Sequence, residues 1–294
     1  MEDGKNNMEN LKVIYEDNHI IVVEKPANIP SQQDKTNDID MITIIKKYLK
    51  EKYSKPGEVY LGLIHRLDRP TGGVMCFAKT SKAAARLSEQ IRNKDFEKTY
   101  LAVANGKFES ETGAYEDYLL KIERTNTSKV VEKNKKNAKY AKLEYEVLKY
   151  NSNTNLSVIK VKLDTGRHHQ IRVQLASRNH SIYGDQKYGS RGKQLALWAY
   201  TLKLIHPISK KEMIFKSIPE PEKNFSELKK YPIYDIVYNS LVLNNASIKS
   251  NNSIIGGNST DRALLDYVSI INENGLKVIK KEPFDSAKKY SSVT

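Results

Sequence analysis

The chain has 294 residues and a formal charge of +14, a length that suits one large domain with or without a small appendage. Its apolar runs fall short of the roughly 20 residues of a membrane span, its polar N-terminus is not expected to be a secretory signal, and its single cysteine excludes an internal disulfide and fits a reducing cytoplasm. The positive balance points to a polyanion, either nucleic acid or anionic lipid, or merely to a lysine-rich surface, and eighteen tyrosines tilt it toward bases on which rings can stack.

Residues 1–10 are polar and expected to be disordered. Leu11 to Tyr15 and His19 to Glu24 are β-rich runs separated by Asp17-Asn18, the pattern of a hairpin. Pro26 and Pro30 bound a loop. Asp40 is placed to cap a helix whose apolar positions Met41, Ile44, Ile45, Tyr48 and Leu49 form a stripe that reads as core packing. The run Tyr60 to Ile64 leads into His65-Arg66-Leu67-Asp68-Arg69-Pro70-Thr71-Gly72-Gly73. Here one carboxylate stands between two guanidinium groups at a turn bounded by Pro and Gly. The flanking arginines favour its ionised form, so Asp68 is either the centre of a structural ion pair or a nucleophile held ready.

Val74 to Ala78 reads as a strand, with Cys76 inside it as an inert thiol. Ser81 is placed to cap a helix to about Asn93, with Ala84, Leu87 and Ile91 facing inward. Glu97 to Ala104 is a strand closed by Asn105-Gly106. Residues 111–138 are charged and aperiodic and read as a long exposed insertion. Leu143, Tyr145 and Val147 alternate with glutamates, and Ile159, Val161 and Leu163 with lysines, giving two half-buried strands. A helix is expected next, with Ile171 and Leu175 on one face and His168 and Arg172 on another. Gln194 to Ile205 and Met213 to Ile218 are further strands. Hairpin-like strands with helices between them predict an α+β domain with a mixed, mainly antiparallel sheet flanked by helices. This domain is expected over residues 11–222. An extension, 223–294, follows, with an Asn/Ser-rich linker or disorder at 239–260, a short helix at 261–274 and a strand at 276–280.

Four segments in order resemble the RluA-type RNA pseudouridine synthases. They are Glu24-Lys25-Pro26-Ala27-Asn28-Ile29-Pro30, then His65-Arg66-Leu67-Asp68, then Lys98-Thr99-Tyr100-Leu101-Ala102-Val103, and last Leu163-Asp164-Thr165-Gly166-Arg167-His168-His169-Gln170-Ile171-Arg172. Gly184-Asp185-Gln186-Lys187-Tyr188-Gly189 trails the fourth. The likeness spans about residues 11–220 and implies a pseudouridine synthase fold with an active-site cleft across the sheet. It implies Asp68 as nucleophile, Arg172 as its ion-pair partner, and Tyr100 stacking on the target base and assisting proton transfer at C5. Arg66 would occupy space vacated by an extruded uridine, and Arg69 and Arg167 would contact phosphates. Uridine isomerisation breaks a glycosidic C–N bond, turns the uracil and joins C5 to the sugar. A carboxylate nucleophile splits that task in two without metal or redox cofactor, and attack on the base, attack on the sugar and removal of a sugar proton all remain open.

The expected protein is a stand-alone cytoplasmic enzyme and a monomer, acting on rRNA or tRNA with no cofactor, guide RNA or membrane. An S4-type RNA-binding module is not expected ahead of the first motif. The competing readings are a non-catalytic RNA-binding protein using the same basic cleft, and another RNA enzyme such as a hydrolase. His168-His169 makes a poor metal pair, since helix neighbours diverge by about 100° and nothing completes the site. The kinase-like His-Arg-Leu-Asp has an extra residue before Asp and no companion motifs, and no Walker loop or dinucleotide fingerprint is present. Two positions depart from the resemblance: Gly72-Gly73 stands where many members have Ser-Gly, and Trp198 where His is frequent.

Overall fold

The computed structural model describes residues 11–189, 192 and 194–219, and strands at 247–250, 253–256, 281–285 and 290–293. The chain divides into two compact units, Met1–Glu220 and Pro221–Thr294. In the first, strands β1 (Val13–Glu16), β2 (Ile20–Lys25), β3 (Gly62–Leu63), β4 (Gly72–Ala78), β5 (Glu97–Asn105), β6 (Thr112–Ile122), β7 (Thr127–Val131), β8 (Lys139–Asn151), β9 (Leu156–Leu163), β10 (Leu197–Ile205) and β11 (Glu212–Lys216) form one sheet. Their order is β1-β2-β4-β10-β5-β9-β8-β6-β7, with β3 on β4 and β11 on β10. The pairing of β4 with β10 is parallel and the others described are antiparallel. The sheet is therefore mixed and mainly antiparallel, in the α+β architecture expected. No helix among the described residues is long and apolar enough to cross a membrane.

Three helices, α1 (Met41–Lys52), α2 (Ser81–Asn93) and α3 (Gln170–Ala176), accompany this sheet. Asp40 caps α1 by accepting from the N–H groups of Ile42 and Thr43 at 2.8 and 3.2 Å. Its stripe Met41, Ile44, Ile45 and Leu49 joins Ile20, Ile21, Val22 and Val23 of β2 and the apolar residues of β4 in one core. The cap of α2 is Thr80, one residue before the expected Ser81: Thr80 is extended and its Oγ1 accepts from Ala83 N–H. The fully buried residues of α2 are Ala83, Leu87 and Gln90, and the expected Ala84 and Ile91 pack, partly buried, against the same core. A polar residue sits inside because Gln90 gives its amide N–H to the Ile205 carbonyl and takes the Ile205 N–H in return, satisfying the end of β10.

The expected exposed insertion is instead a continuation of the sheet. Its β6 pairs with β8 from Thr112↔Glu146 to Leu119↔Lys139, and β7 with β6. No hydrophobic alternation announces it because its inward positions include Asp117, held by Arg178 at 2.9 and 3.0 Å and by Gln174 at 2.7 Å. Paired charge there adds to the aliphatic burial of Leu119 against Ala141 and Val173. Tyr115 lies between Tyr145 and the Arg178 guanidinium, 4.1 Å from its ring.

The two departures from the resemblance meet in space. The parallel register pairs Trp198 with Gly72, and a Cβ on Gly72 would overlap the indole ring. Trp198 also donates its indole N–H to the Ser217 carbonyl at 3.0 Å. The indole fills the space that a side chain at 72 would need, so the substitutions compensate one another. Gly72→Ser is expected to lose about 1–3 kcal/mol by overpacking. Gly72→Ser with Trp198→His is expected to recover much of it in urea unfolding, and an additive double mutant would refute the coupling.

In the second unit, β12 (Ser247–Ser250) pairs with β13 (Ser253–Gly256) and β14 (Lys281–Asp285) with β15 (Tyr290–Val293), both antiparallel. The first ribbon falls within 239–260, where composition pointed to linker. The expected disorder at 1–10, helix at 261–274 and strand at 276–280 lie outside the described residues.

Candidate active site

The Asp68 turn lies between β3 and β4 and is fastened at three points. His65 is buried, and its Nε2 accepts the N–H of Cys76 at 3.1 Å, tying the start of the turn to β4. Burial, with Lys98 adding to it, pushes the His65 pKa down to about 3, so the ring is neutral. Ser31 brackets Leu67, taking its N–H and donating to its carbonyl. Lys25, fully buried, donates to the carbonyls of Pro26, Arg69 and Thr71 at 2.8 to 3.0 Å. Burial pushes its pKa down to about 7 while Asp68 opposes that shift, and only the three-proton ammonium serves all three oxygens. The Thr71 N–H closes the turn on the Asp68 carbonyl at 2.9 Å.

Asp68 emerges from this frame with its side chain 28% exposed. Its Oδ2 lies 3.2 Å from Nη1 of Arg172 and 3.7 Å from Nε2 of His169. Its Oδ1 receives no hydrogen bond from the described residues. A guanidinium can hold a carboxylate by two parallel bonds, but the fork of Arg172 goes elsewhere. Nε and Nη2 each donate to Asp185 at 2.7 Å, leaving a single bond for Asp68. Burial works against the Arg172 charge, but Asp185 and then Asp68 outweigh it and raise its pKa above the ordinary value.

Helix α3 carries Arg172 into the sheet with Gln170 to Leu175 all buried. It begins at Gln170, so His168 precedes it. The Gln170 side chain fixes that start: its Oε1 accepts from Thr165 Oγ1 and Arg167 N–H, and its Nε2 donates to the Lys142 carbonyl. The two histidines do not diverge as helix neighbours would. Their rings stack 3.8 Å apart, because His169 has a left-handed backbone with φ of 52°.

Tyr100 reaches the site through strand register. Ala199 pairs with Gly73 on one side and Tyr100 on the other, so the tyrosine stands level with the start of β4. Gly73 has φ of 120°, and a Cβ there would overlap the Ala199 backbone. Burial, reinforced by the Asp68 charge, pushes the Tyr100 hydroxyl above the usual tyrosine range.

The other candidates separate. Arg66 is exposed and makes no hydrogen bond or ion pair among the described residues. Arg69 donates to the Asn28 carbonyl, Thr36 and Asp38, and lies 3.5 Å from Asp34, which ties it to the preceding loop. Arg167 is exposed and donates Nε–H to the Tyr140 carbonyl. Four residues of the constellation had no role assigned from sequence: Lys25, His169, Asp185 and Tyr188. All four stand inside the quoted motifs, which was the available signal. The site thus offers a partly exposed carboxylate with one oxygen free and the other tethered to a buried guanidinium, and a buried phenol whose proton that carboxylate helps to hold.

The RNA pseudouridylate synthase family model matches residues 19–177. An uncharacterized RNA pseudouridine synthase of Bacillus subtilis (strain 168) is 33% identical over 215 residues, which is 72% of this chain and 69% of that one. The ribosomal large subunit pseudouridine synthase D of Nitrosomonas europaea is 32% identical over 227 residues, 72% of this chain and 62% of that one. Among solved structures, human RNA pseudouridylate synthase domain containing 4 superposes with a TM-score of 0.64 at 21% identity, covering 78% of this chain and 96% of that one. The last likeness is one of fold.

Proposed function

The chain belongs to the RNA pseudouridylate synthase family, and on that premise we propose that it isomerises specific uridines in ribosomal RNA with Asp68 as nucleophile. The observation that carries this is the split grip on Asp68: Oδ2 is held by Arg172 at 3.2 Å and Oδ1 is left to react. Attack of Oδ1 on C1′ forms an acyl–sugar bond as the N1–C1′ bond breaks; the freed uracil turns, and its C5 joins C1′ and displaces the Asp68 carboxylate. The C5 proton passes to solvent and N1 takes one up, with no net redox change, so no redox cofactor enters the scheme. Tyr100, kept protonated by burial, serves as a flat platform for the base and as a proton donor rather than a ready base. Arg66, exposed and uncommitted, fills the stack behind an extruded nucleotide.

Capture of RNA rests on charge. The β6–β7 hairpin and its return to β8 expose Lys121, Arg124, Lys129, Lys133, Lys135 and Lys136, a surface that suits phosphates by counterion release. Arg69 acts as a clamp on its own loop instead of a phosphate contact. The likeness to a ribosomal large subunit pseudouridine synthase D favours rRNA over tRNA. Buried Cys76 fits a reducing cytoplasm, where the enzyme acts as a monomer. A binding-only protein has no use for a charged carboxylate facing RNA, since it repels phosphate.

The test is to map pseudouridines in total RNA from cells with and without the gene. One or more sites in large-subunit rRNA are expected to vanish and to return with the wild-type chain but not with Asp68→Asn. A site lost from tRNA would overturn the substrate, and no lost site in any RNA would overturn the function.

A further inference from the structure

A chain of polar contacts runs from strand β7 to the Asp68 carboxylate, and it determines where one proton sits. The Ser128 N–H donates to the Tyr188 hydroxyl oxygen at 2.7 Å. The hydroxyl's own proton then has one acceptor in reach among the described residues, Nδ1 of His169 at 2.9 Å. With Nδ1 accepting, a neutral imidazole carries its proton on Nε2. That nitrogen lies 3.7 Å from Oδ2 of Asp68, longer than a hydrogen bond by about half an ångström.

The groups around the ring keep it neutral. Burial comes first, then the charges of Arg172, His168 and Lys187, and together they push the His169 pKa down to about 2 against the opposing pull of Asp185. Asp68 and Tyr188 complete the surroundings. The backbone supports the same aim. His169 adopts φ of 52° and is 7% exposed, a left-handed conformation costly for a non-glycine residue and found where a side chain must be directed. Ser128 holds the same loop a second time, its hydroxyl donating to the His168 carbonyl at 2.8 Å.

We propose that His169 is a positioning residue for Asp68: fixed as the Nε2–H tautomer by Ser128 and Tyr188, it donates a second hydrogen bond to Oδ2 once RNA closes the site. Arg172 and His169 then hold one carboxylate oxygen from two directions, and Oδ1 alone is free to attack. The inference builds on Asp68 as the nucleophile. It also makes the β7 hairpin, which lies beside the basic surface, part of the scaffold that aims the carboxylate. Apo contacts of this kind commonly tighten only when substrate is bound.

Nitrogen-15 spectra of the full chain, with the His169 signal assigned by its loss in His169→Gln, read the tautomer directly. The expected spectrum shows a protonated Nε2 that does not titrate between about pH 5.5 and 8.5, and Tyr188→Phe releases Nδ1 and mixes the tautomers. In turnover assays at saturating RNA, His169→Leu is expected to lower kcat about tenfold or more with KM within about threefold. His169→Gln, whose amide N–H replaces Nε2–H, recovers most of the rate. A protonated Nδ1, a titrating ring, or a folded His169→Gln as slow as His169→Leu would each overturn the proposal. The wild-type spectrum decides the tautomer even if a variant fails to fold. It also stands apart from the function itself, which an active Asp68→Asn would sink without altering the spectrum.

Discussion

Asp68→Asn is expected to abolish pseudouridine formation, by about 10⁴-fold or more in kcat, while the RNA dissociation constant stays within about threefold. Asparagine keeps the volume of the side chain, and its carbonyl can still accept from Nη1 of Arg172, now 3.2 Å from Oδ2. What it removes is the negative charge and the nucleophilic electron pair. Affinity is spared because the exposed cations of the β6–β7 hairpin are untouched, and phosphate contacts supply most of the binding. Stability should change little, since the Asp68 side chain is partly exposed and Arg172 keeps its two bonds to Asp185. Product measured by mass spectrometry and binding by fluorescence anisotropy separate the two quantities. Undiminished product would end the assignment of the nucleophile, and a collapse of RNA affinity would show that the carboxylate organises the binding surface instead.

Arg172→Ala is expected to damage the fold and the chemistry together. Asp185 is 1% exposed, and the guanidinium supplies the two 2.7 Å hydrogen bonds to its carboxylate. Stranding that carboxylate without its partner costs about 3–5 kcal/mol, visible as a lower urea midpoint. The more informative variant is Arg172→Lys. A single ammonium keeps the charge but lacks the planar fork needed to bridge two carboxylates at once. It should fold and stay with Asp185, release Asp68, and reduce kcat by about 10²-fold through lost aim. Wild-type turnover in a folded Arg172→Lys would show that the 3.2 Å contact does not position the nucleophile.

These two substitutions probe an arrangement in which each charge has a distinct task. Lys25 gives all three of its protons to loop carbonyls and so shapes the turn. Asp185 orients Arg172, and Arg172 in turn orients Asp68. Asp68 alone keeps an uncommitted oxygen. An ion pair built only for stability would saturate both oxygens with donors, and the buried Asp185 does receive that treatment, with the Lys187 N–H as a third donor at 3.1 Å. The contrast between the two carboxylates is what favours Asp68 over Asp185 for the proposed chemistry.

Much of this was legible in the sequence because it is local. The Asp40 cap, the α1 stripe, the alternating strands Leu143–Val147 and Ile159–Leu163, and the Pro/Gly-bounded turn at Asp68 depend on neighbours a few residues apart, where periodicity and turn chemistry speak directly. The motif order also singled out Arg172, which the fold brings to 3.2 Å from Asp68. What lay beyond the sequence is non-local. Strand β6 places Asp117, paired with Arg178, among its inward residues and β7 buries Ser128, so hydrophobic alternation marks them weakly. The pairing of Gly72 with Trp198 exists only because β4 and β10 run parallel and in register. The choice of Arg172 to give its fork to Asp185 rather than to Asp68, 104 residues away, was made by burial: the carboxylate shut away from water takes the stronger pair of bonds, and the one left at the surface keeps an oxygen free.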